Sequence, residues 1–253
     1  MTERVTVTCS QLNGITWEPL SSNHLADGII HVWRAPLHPL QFSPDDYLQE
    51  LPPDEKQRAA RFVQTEDRNR FLLGRKMLRS LIGYFYGIPP ESVKIKTGSH
   101  GKPILSTNEE RPIFFNLSHA GHWVLLSMGL SESGVDVEAI NHIDSSEDLF
   151  AACLSPEEQE ALQEAPDKRQ LFCTYWTRKE ALLKATGIGL VDELTAIPCL
   201  NGANRIKAKL VRCNQDWDIQ SFKLDEQHIA SIALLPGSAC RFHDFTITSL
   251  FPS

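Results

Sequence analysis

The sequence predicts an α+β fold built from two related halves, and three observations support this prediction. Segments with the period of strands and segments with the period of helices follow one another without a low-complexity linker. A weak internal repeat aligns Leu51–Glu55 with Leu154–Glu158. The length of 253 residues is close to the size at which a single core divides. We therefore expect an N-terminal half, residues 1–130, and a C-terminal half, residues 131–253, that face each other across a ligand-binding cleft.

The N-terminal half is expected to combine strands with two helices. Residues 1–27 show no strong period and are expected to be a frayed lead-in or an edge segment. One helix is predicted to begin at Pro52-Pro53 and to run to about Gln64. A longer helix is predicted from about Glu66 to Tyr86, because Gly87 and a proline pair follow it. Runs of β-branched and aromatic residues predict strands at 28–33, 93–96, 113–117 and 123–128.

The C-terminal half is expected to begin with a strand at Gly134–Glu138, where valines alternate with carboxylates. Ser155, Pro156 and Glu158 then form the pattern of an N-cap, a first helical residue and a capping box. The next helix carries apolar residues at helical spacing and is expected to end at Gly187. Alternating segments predict further antiparallel strands at 205–212, 217–224, 228–235 and 242–251.

Composition limits the classes of partner. A net charge of −7 and a pI of about 5.7 argue against nucleic acid or an anionic membrane surface as the main partner. The first residues lack the apolar stretch of a signal peptide, and no segment approaches the ~20 apolar residues of a membrane span, so we expect a cytoplasmic protein. The six cysteines include no C-x-x-C pair and the histidines are not clustered, which argues against a zinc site or a disulfide framework.

Two segments place charged side chains at spacings that bring them together. Glu180 and Lys184 lie one turn apart and share a face of the predicted helix. Asp136 and Glu138 point to one face of the predicted strand, roughly 7 Å apart. Each pattern has a simpler interpretation, because the helical pair could be an exposed ion pair and the strand could expose its polar face to water.

Three carboxylates that converge on one place repel one another, and a hard divalent cation with oxygen ligands removes that repulsion. Mg²⁺ fits best, with Mn²⁺ as an alternative, because it accepts a few carboxylates and completes its octahedron with water and phosphate oxygens. We therefore predict Asp136, Glu138 and Glu180 as its ligands.

Together the two segments resemble the signature pair of the 4′-phosphopantetheinyl transferases. Gly134-Val135-Asp136-Val137-Glu138 matches G-[IV]-D-[IV]-E, and Trp176-Thr177-Arg178-Lys179-Glu180-Ala181-Leu182-Leu183-Lys184 matches W-[ST]-x-K-E-A-x-x-K. The resemblance extends to Phe115–His119, Gly101–Pro103 and, more loosely, Arg68–Gly74. At this length the chain resembles the surfactin-synthetase-activating (Sfp-like) group and not the half-length holo-ACP synthases, which must trimerise.

The resemblance implies a pseudo-twofold α+β fold in which each half is a small antiparallel sheet packed against a long helix. The N-terminal half would form the nucleotide side of the cleft, and the C-terminal half would carry the metal and the catalytic helix. The implied reaction is Mg²⁺-dependent transfer of the 4′-phosphopantetheine arm of coenzyme A to a serine of an acyl carrier protein or peptidyl carrier domain, with release of 3′,5′-ADP. A monomer is expected, because the repeat supplies both halves of the cleft.

The resemblance also implies roles for individual residues. Glu180 and Lys184 are the expected catalytic residues, with Glu180 acting either as the base for the serine proton or as a metal ligand. Contacts to coenzyme A are expected from a set of mostly basic or polar residues: Arg70, Lys102, Pro103, Ser118, His119 and Lys179.

The chain departs from the resemblance at two places. Where a lysine pair is expected for the 3′-phosphate, it has Glu55 and Arg58, with Lys56 and Arg61 as substitutes, and Phe71 replaces a small polar residue beside the adenine. Two other functions remain open at this point. One is a Mg²⁺-dependent phosphoesterase acting on small phosphate esters, and the other is a non-catalytic protein that binds coenzyme A.

Overall fold

The computed structural model describes residues 3–20, 24–37, 42–98, 103–106, 111–141, 146–189, 191 and 193–246. Its α-helices are α1 (Pro44–Glu50), α2 (Pro53–Ala59), α3 (Thr65–Tyr86), α4 (Glu147–Cys153), α5 (Pro156–Glu164), α6 (Lys168–Thr186) and α7 (Ala208–Val211). Its strands are β1 (Arg4–Gln11), β2 (Ile29–Pro36), β3 (Ile95–Thr97), β4 (Pro103–Leu105), β5 (Phe114–Ala120), β6 (Trp123–Gly129), β7 (Ser133–Ala139), β8 (Gly202–Lys207), β9 (Trp217–Asp225), β10 (His228–Leu234) and β11 (Ala239–Asp244).

Two sheets organise these elements. The first has the strand order β11-β2-β6-β5 and the second has the order β7-β10-β9-β1-β8, while β3 and β4 form a separate hairpin. Helix α3 packs on the first sheet through Leu73, Met77 and Leu81, and α6 packs on the second through Phe172 and Leu182. Burying each of these apolar side chains contributes about 1.5–3 kcal/mol. The predicted α+β fold, with two halves that each combine a sheet and a long helix, is confirmed.

The terminal strands cross between the halves, which the sequence did not predict. Strand β1 lies inside the second sheet, antiparallel to β8 and parallel to β9. Strand β11 pairs in parallel with β2 in the first sheet. The expectation of a frayed or edge segment over residues 1–27 is therefore wrong for β1, where Val5, Val7 and Cys9 alternate into the core. The division at 130/131 remains a prediction for the body of the chain, whereas the terminal strands pair across it.

Several boundaries differ from the predicted ones for local reasons. Helix α2 ends at Ala59 and not near Gln64, and α1 was not predicted, although Ser43 caps it by accepting a hydrogen bond from the Asp46 amide. Residues 205–212 divide between β8 and α7. A strand was predicted at 242–251, and the structure has β11 at Ala239–Asp244. Residues beyond 246 lie outside the described part of the chain.

The predicted ends of the long helices are confirmed. Ser155 and Glu158 form the capping box at the start of α5, each side chain accepting from the other residue's backbone amide. Helices α3 and α6 both end at a glycine in the left-handed conformation, Gly87 with φ 64° and Gly187 with φ 71°. The helix pairs α2–α3 and α5–α6 occupy equivalent positions in the internal repeat.

Helix α6 lies unusually close to strand β7, and Gly134 makes this approach sterically feasible. A Cβ atom at Gly134 would lie 2.1 Å from the carbonyl oxygen of Ala181 and 2.4 Å from the nitrogen of Ala185. Any side chain would push the helix away from the strand. The glycine therefore sets the distance between the strand that carries Asp136 and the helix that carries Glu180.

The two sheets meet at their edge strands β5 and β7 through side chains. The Val135 amide donates to Asn116 Oδ1 at 3.0 Å, and the Val137 amide donates to Ser118 Oγ at 3.3 Å. These bonds satisfy the outer amides of β7 without merging the sheets, so a cleft remains above the junction. Within the described residues, no helix is long and apolar enough to cross a bilayer.

Candidate active site

A cavity of about 390 Å³ opens where β5, β7, α3 and α6 meet. Its lining includes carboxylates, cations and aromatic side chains: Arg58, Arg70, Phe71, Arg75, Pro103, Ser118, His119, Asp136, Glu138, Trp176, Glu180 and Lys184. A larger cavity of about 810 Å³ lies against a different face of α6, beside Thr174 and Arg178, and none of the three predicted metal-binding carboxylates lines it. The three carboxylates and the lysine that the sequence singled out therefore line the smaller cavity.

Asp136 is the most buried of the three carboxylates, with 3% of its surface exposed. Its Oδ1 accepts hydrogen bonds from Lys184 Nζ at 2.6 Å and from Ser118 Oγ at 2.8 Å. Its Oδ2 is buried without a hydrogen-bond partner among the described residues. An unpaired buried carboxylate oxygen costs several kcal/mol unless a ligand satisfies it, so Oδ2 is a candidate ligand atom.

Glu138 and Glu180 complete a group of three carboxylates around Asp136. Burial, followed by the charge of Asp136, raises the pKa of both glutamates to about 7. The indole nitrogen of Trp176 donates to Glu138 Oε1 at 3.3 Å. Glu180 Oε1 is buried and finds no hydrogen-bond partner within the described part of the chain. Nearby negative charge and unpaired oxygens together indicate a missing counter-charge.

The donor set fits a hard divalent cation. All three carboxylates line one cavity, and two of them present buried oxygens without hydrogen bonds. Carboxylate oxygens with open positions for water and phosphate are the arrangement that Mg²⁺ adopts in phosphoryl-transfer sites. The structure thus brings Asp136, Glu138 and Glu180 together, as the sequence predicted.

Arg70, His119 and Pro103 also lie where a coenzyme could reach them, since all three line this cavity. Arg70 donates to the Gly121 carbonyl at 2.5 Å and to Asp67 at 2.6 Å, which holds its guanidinium at the cavity wall. His119 ends up inside strand β5, which extends past the predicted boundary at Leu117. Desolvation by the protein atoms around the imidazole, followed by the charges of Arg70 and Lys184, lowers the pKa of His119. Lys102 lies outside the described residues.

Lys179 is not part of this cavity, and its predicted contact with coenzyme A is wrong. The side chain is 1% exposed, and its ammonium donates to Glu158 Oε2 at 2.7 Å and to the carbonyls of Leu194 and Ile197 at 3.0 and 2.9 Å. All three protons of the ammonium are therefore used in the protein interior. Because Lys179 directly precedes Glu180, it points to another face of α6.

Ser118 lines the cavity, but it has other partners than the predicted phosphate. Its hydroxyl proton goes to Asp136, while its oxygen accepts from Lys184 Nζ at 3.0 Å and from the Val137 amide. With its single donor used in this way, it cannot also donate to a phosphate oxygen. The hydroxyl instead fixes the orientation of the Asp136 carboxylate.

Arg58 and Arg75 line the same cavity as the carboxylates and form a basic wall, although sequence reasoning did not bring these two arginines together. The guanidinium carbons of Arg58 and Arg75 lie 5.4 and 5.2 Å from the ring centroid of Phe71. Arg75 is 4% exposed and pairs with Glu55 at 3.3 Å, yet its Nη1 has no hydrogen-bond partner within the described residues. Arg58 and Arg75 also line an adjoining cavity of about 520 Å³. The one-turn spacing of Phe71 and Arg75 was the available signal.

Comparison with known proteins finds a family match for each half of the chain. Residues 132–233 match the 4′-phosphopantetheinyl transferase superfamily, and residues 38–130 match the N-terminal domain of 4′-phosphopantetheinyl transferase. The chain is 39% identical over 224 residues to the 4′-phosphopantetheinyl transferase HetI of Nostoc sp., covering 87% of this chain and 93% of the relative.

Two Bacillus proteins are similar over shorter or more divergent alignments. The 4′-phosphopantetheinyl transferase psf-1 of Bacillus pumilus is 34% identical over 176 residues, which cover 68% of this chain and 73% of the relative. A 4′-phosphopantetheinyl transferase of Bacillus subtilis is 25% identical over 199 residues, which cover 78% and 87%.

Proposed function

The chain belongs to the 4′-phosphopantetheinyl transferase superfamily, and from this premise we propose how its cleft performs the reaction of that family. The phosphopantetheine arm of coenzyme A is transferred to a serine hydroxyl of a carrier protein, and 3′,5′-ADP leaves. The observation that supports the assignment to this cleft is the meeting of Asp136, Glu138, Glu180 and Lys184 in one cavity. Transfer of a phosphoryl group needs charge neutralisation, proton removal and positioning, and these four residues can supply all three.

Mg²⁺ is the cation we propose for this cavity, held by Asp136, Glu138 and Glu180. The two unpaired buried oxygens, Oδ2 of Asp136 and Oε1 of Glu180, support this ligand set. When bound, the cation would polarise pyrophosphate oxygens of coenzyme A as a Lewis acid. Ser118 and Lys184 hold the other oxygen of Asp136, so the free oxygen faces one fixed direction.

Glu180 is proposed to receive the proton of the attacking serine, directly or through water, or else to serve only as a metal ligand. Burial and the charge of Asp136 raise its pKa to about 7 when no cation is bound, and a cation beside it would favour the ionised carboxylate that a general base requires. Lys184 lies one turn further along α6, with its ammonium on Asp136 Oδ1. We propose that this ammonium stabilises the negative charge that grows on the leaving phosphate.

Coenzyme A is proposed to lie between these groups and the basic wall. Arg70, His119 and Pro103 line the same cavity and would contact the nucleotide and its phosphates. For the 3′-phosphate we propose Arg58 and Arg75, because both line the adjoining cavity and Arg75 keeps an unpaired buried nitrogen. Arginine presents a planar fork of donors that matches a phosphate group, so it can replace the expected lysine pair.

The decisive experiment uses intact-mass spectrometry to detect the phosphopantetheine arm on a carrier protein. Incubation with coenzyme A, Mg²⁺ and an apo carrier protein should add one phosphopantetheine group to the carrier serine. A carrier in which that serine is replaced by alanine should gain no mass. Hydrolysis of small phosphate esters without carrier labelling would indicate a phosphoesterase. Coenzyme A binding without transfer would indicate a binding protein, and either result would overturn the proposal.

The 3′-phosphate assignment is tested with a matched pair of substrates. Arg58→Gln should raise the KM for coenzyme A by at least about tenfold and change the KM for dephospho-coenzyme A little, because an arginine–phosphate contact contributes about 1.5–3 kcal/mol. Arg205→Gln removes an exposed arginine in strand β8 and is the control. Equal effects of Arg58→Gln on both substrates would contradict the assignment.

We also propose that one chain is the active unit. Both the carboxylates and the basic wall come from a single copy, which has two sheet-and-helix halves. Light scattering at assay concentration should therefore give the mass of one chain, and specific activity should not fall on dilution. An obligate trimer that loses activity on dilution would contradict this proposal.

A further inference from the structure

A second cluster of ligand-type side chains lies outside the cavity, at the junction of two turns. His122 belongs to the turn between β5 and β6, while Asp225 and His228 flank the turn between β9 and β10. One ligand atom from each of the three lies within 4.8 Å of the other two. Asp225 and His228 are three residues apart, whereas His122 lies about a hundred residues earlier in the chain, so the sequence does not show the three as one metal-binding motif.

The distances in this cluster suit a shared cation. His228 Nδ1 lies 2.9 Å from Asp225 Oδ1, and His122 Nε2 lies 3.6 Å from Asp225 Oδ2. Two ligand atoms that each bind a zinc ion at about 2.0–2.1 Å are roughly 3–3.5 Å apart, so small side-chain movements suffice. The two imidazole rings are nearly perpendicular, with centroids 4.9 Å apart.

His228 is buried with Nδ1 facing Asp225 and Nε2 packed against Gly121. The side chain is 3% exposed, and a Cβ atom at position 121 would lie 2.4 Å from Nε2, so the ring fits only beside glycine. Nε2 has no hydrogen-bond partner in the described part of the chain. Nδ1 is thus the nitrogen that faces the cluster, and a neutral ring with its proton on Nε2 offers the lone pair of Nδ1 to a cation.

Asp225 is already oriented for this purpose. The Trp123 indole donates to Oδ2 at 2.7 Å and the Gln227 amide donates to Oδ1 at 2.7 Å. Such outer hydrogen bonds fix the direction of a ligating carboxylate. The side chain of His122 is 53% exposed, so the third ligand is reachable from solvent and leaves a position for water.

We propose that His122, Asp225 and His228 form a binding site for a zinc-like divalent cation, separate from the carboxylate site in the cavity. Two imidazoles and one carboxylate suit Zn²⁺, whereas Mg²⁺ strongly prefers oxygen ligands. The cation connects the β5–β6 turn of the first sheet to the β9–β10 turn of the second. It also steadies the Gly121 carbonyl, which accepts the hydrogen bond from Arg70 at the cavity wall.

The test is zinc affinity in competition with a chromophoric chelator, in saturating Mg²⁺, on protein first stripped of metal. His122→Ala changes an exposed side chain and should weaken Zn²⁺ binding by at least about tenfold. His24→Ala, which changes an exposed histidine outside the cluster, should bind Zn²⁺ like the unaltered chain. Asp136→Asn should also keep the site, which separates it from the carboxylate cavity.

Thermal unfolding supplies a second measurement. A cation that binds only the folded state raises the unfolding midpoint, so Zn²⁺ should raise it for the unaltered chain and for His24→Ala but not for His122→Ala. Equal zinc affinity in the unaltered chain and His122→Ala would overturn the proposal. Loss of zinc binding in Asp136→Asn, or no zinc binding at all, would overturn it as well.

Discussion

The ammonium of Lys184 lies 2.6 Å from Oδ1 of Asp136, so helix α6 and strand β7 are joined by a charge pair inside the cavity. Ser118 donates to the same oxygen at 2.8 Å. The remaining oxygen, Oδ2, is thereby kept free of hydrogen bonds from the described residues and can bind a cation. The attraction between Lys184 and Asp136 also offsets part of the desolvation cost of burying both charges.

Asp136→Asn is expected to remove activity without removing the fold. The amide keeps the size of the side chain but loses the charge that binds the cation, and metal ions supply several kcal/mol of transition-state stabilisation in such sites. Carrier modification should fall by at least about a hundredfold. Calorimetry should show loss of Mg²⁺ binding, while circular dichroism should be unchanged. The control is Asp148→Asn, an exposed carboxylate on α4, and near-full activity of Asp136→Asn would contradict the metal assignment.

Glu180→Gln is expected to affect turnover more than coenzyme A affinity. A positioned base contributes about a hundredfold or more to the rate, so the carrier-modification rate should fall by at least about that factor. Calorimetry of coenzyme A with Mg²⁺ present distinguishes the two roles of Glu180. Binding that is nearly unchanged indicates a base, and binding that is clearly weakened indicates a metal ligand. Normal turnover in this variant would mean that the reaction does not use this face of α6.

Replacing each of two lysines of α6 by methionine should affect a different property, stability for Lys179 and turnover for Lys184. Lys179→Met leaves Glu158 as an unpaired buried carboxylate, so it should lower the free energy of unfolding by about 3–5 kcal/mol. Lys184→Met should lower turnover by about a hundredfold through lost charge stabilisation. With Mg²⁺ present, its effect on unfolding should be smaller than that of Lys179→Met. Urea denaturation and carrier labelling of both variants measure this contrast, and equal profiles would contradict it.

The protein is expected to lose stability between pH 6.5 and pH 4 because of His31. Its Nδ1 lies 2.9 Å from Nε2 of the buried His243. Burial, followed by His243 and Arg241, lowers the pKa of His31 to about 4. The unfolded chain therefore binds this proton from about pH 6.5 downward while the folded chain does not. The free energy of unfolding should fall by up to about 1.4 kcal/mol per pH unit in this range.

His31→Gln tests this expectation through the slope and not through absolute stability. Urea denaturation at several values between pH 6.5 and pH 5 should show a flatter dependence for His31→Gln than for the unaltered chain. His24→Gln, at an exposed position, should retain the original slope. Equal slopes for all three proteins would show that the histidine pair does not govern acid stability.

The carboxylates that line the cavity could be identified from the sequence because their geometry is local. The period of a strand fixes the face shared by Asp136 and Glu138, and one helical turn fixes the face shared by Glu180 and Lys184. The neighbouring Lys179 was assigned wrongly because its partner Glu158 belongs to another helix, α5. The basic wall was predicted only in part, because Arg58 was noted at the expected 3′-phosphate position but Arg58 and Arg75 come from different helices and meet only around Phe71.

Fold prediction likewise succeeded where local sequence determines the structure and failed where contacts join segments that are distant in sequence. Helices α3, α5 and α6 were predicted from their caps and apolar spacing, and all three occur close to the expected positions. Strand β1 was missed, although Val5, Val7 and Cys9 alternate, because its neighbours β8 and β9 come from the other end of the chain. No local pattern states which distant strand will cover an alternating segment.

The exchange of terminal strands has a consequence for how the protein forms during synthesis. The first sheet lacks β11 until the ribosome has made residues 239–244, and β1 cannot be enclosed until β8 and β9 have been made. Domains usually fold as units when they leave the ribosome, but here neither half is complete before nearly the whole chain has been made. Separately expressed halves should therefore be unfolded or aggregation-prone, because each would expose an unpaired strand edge.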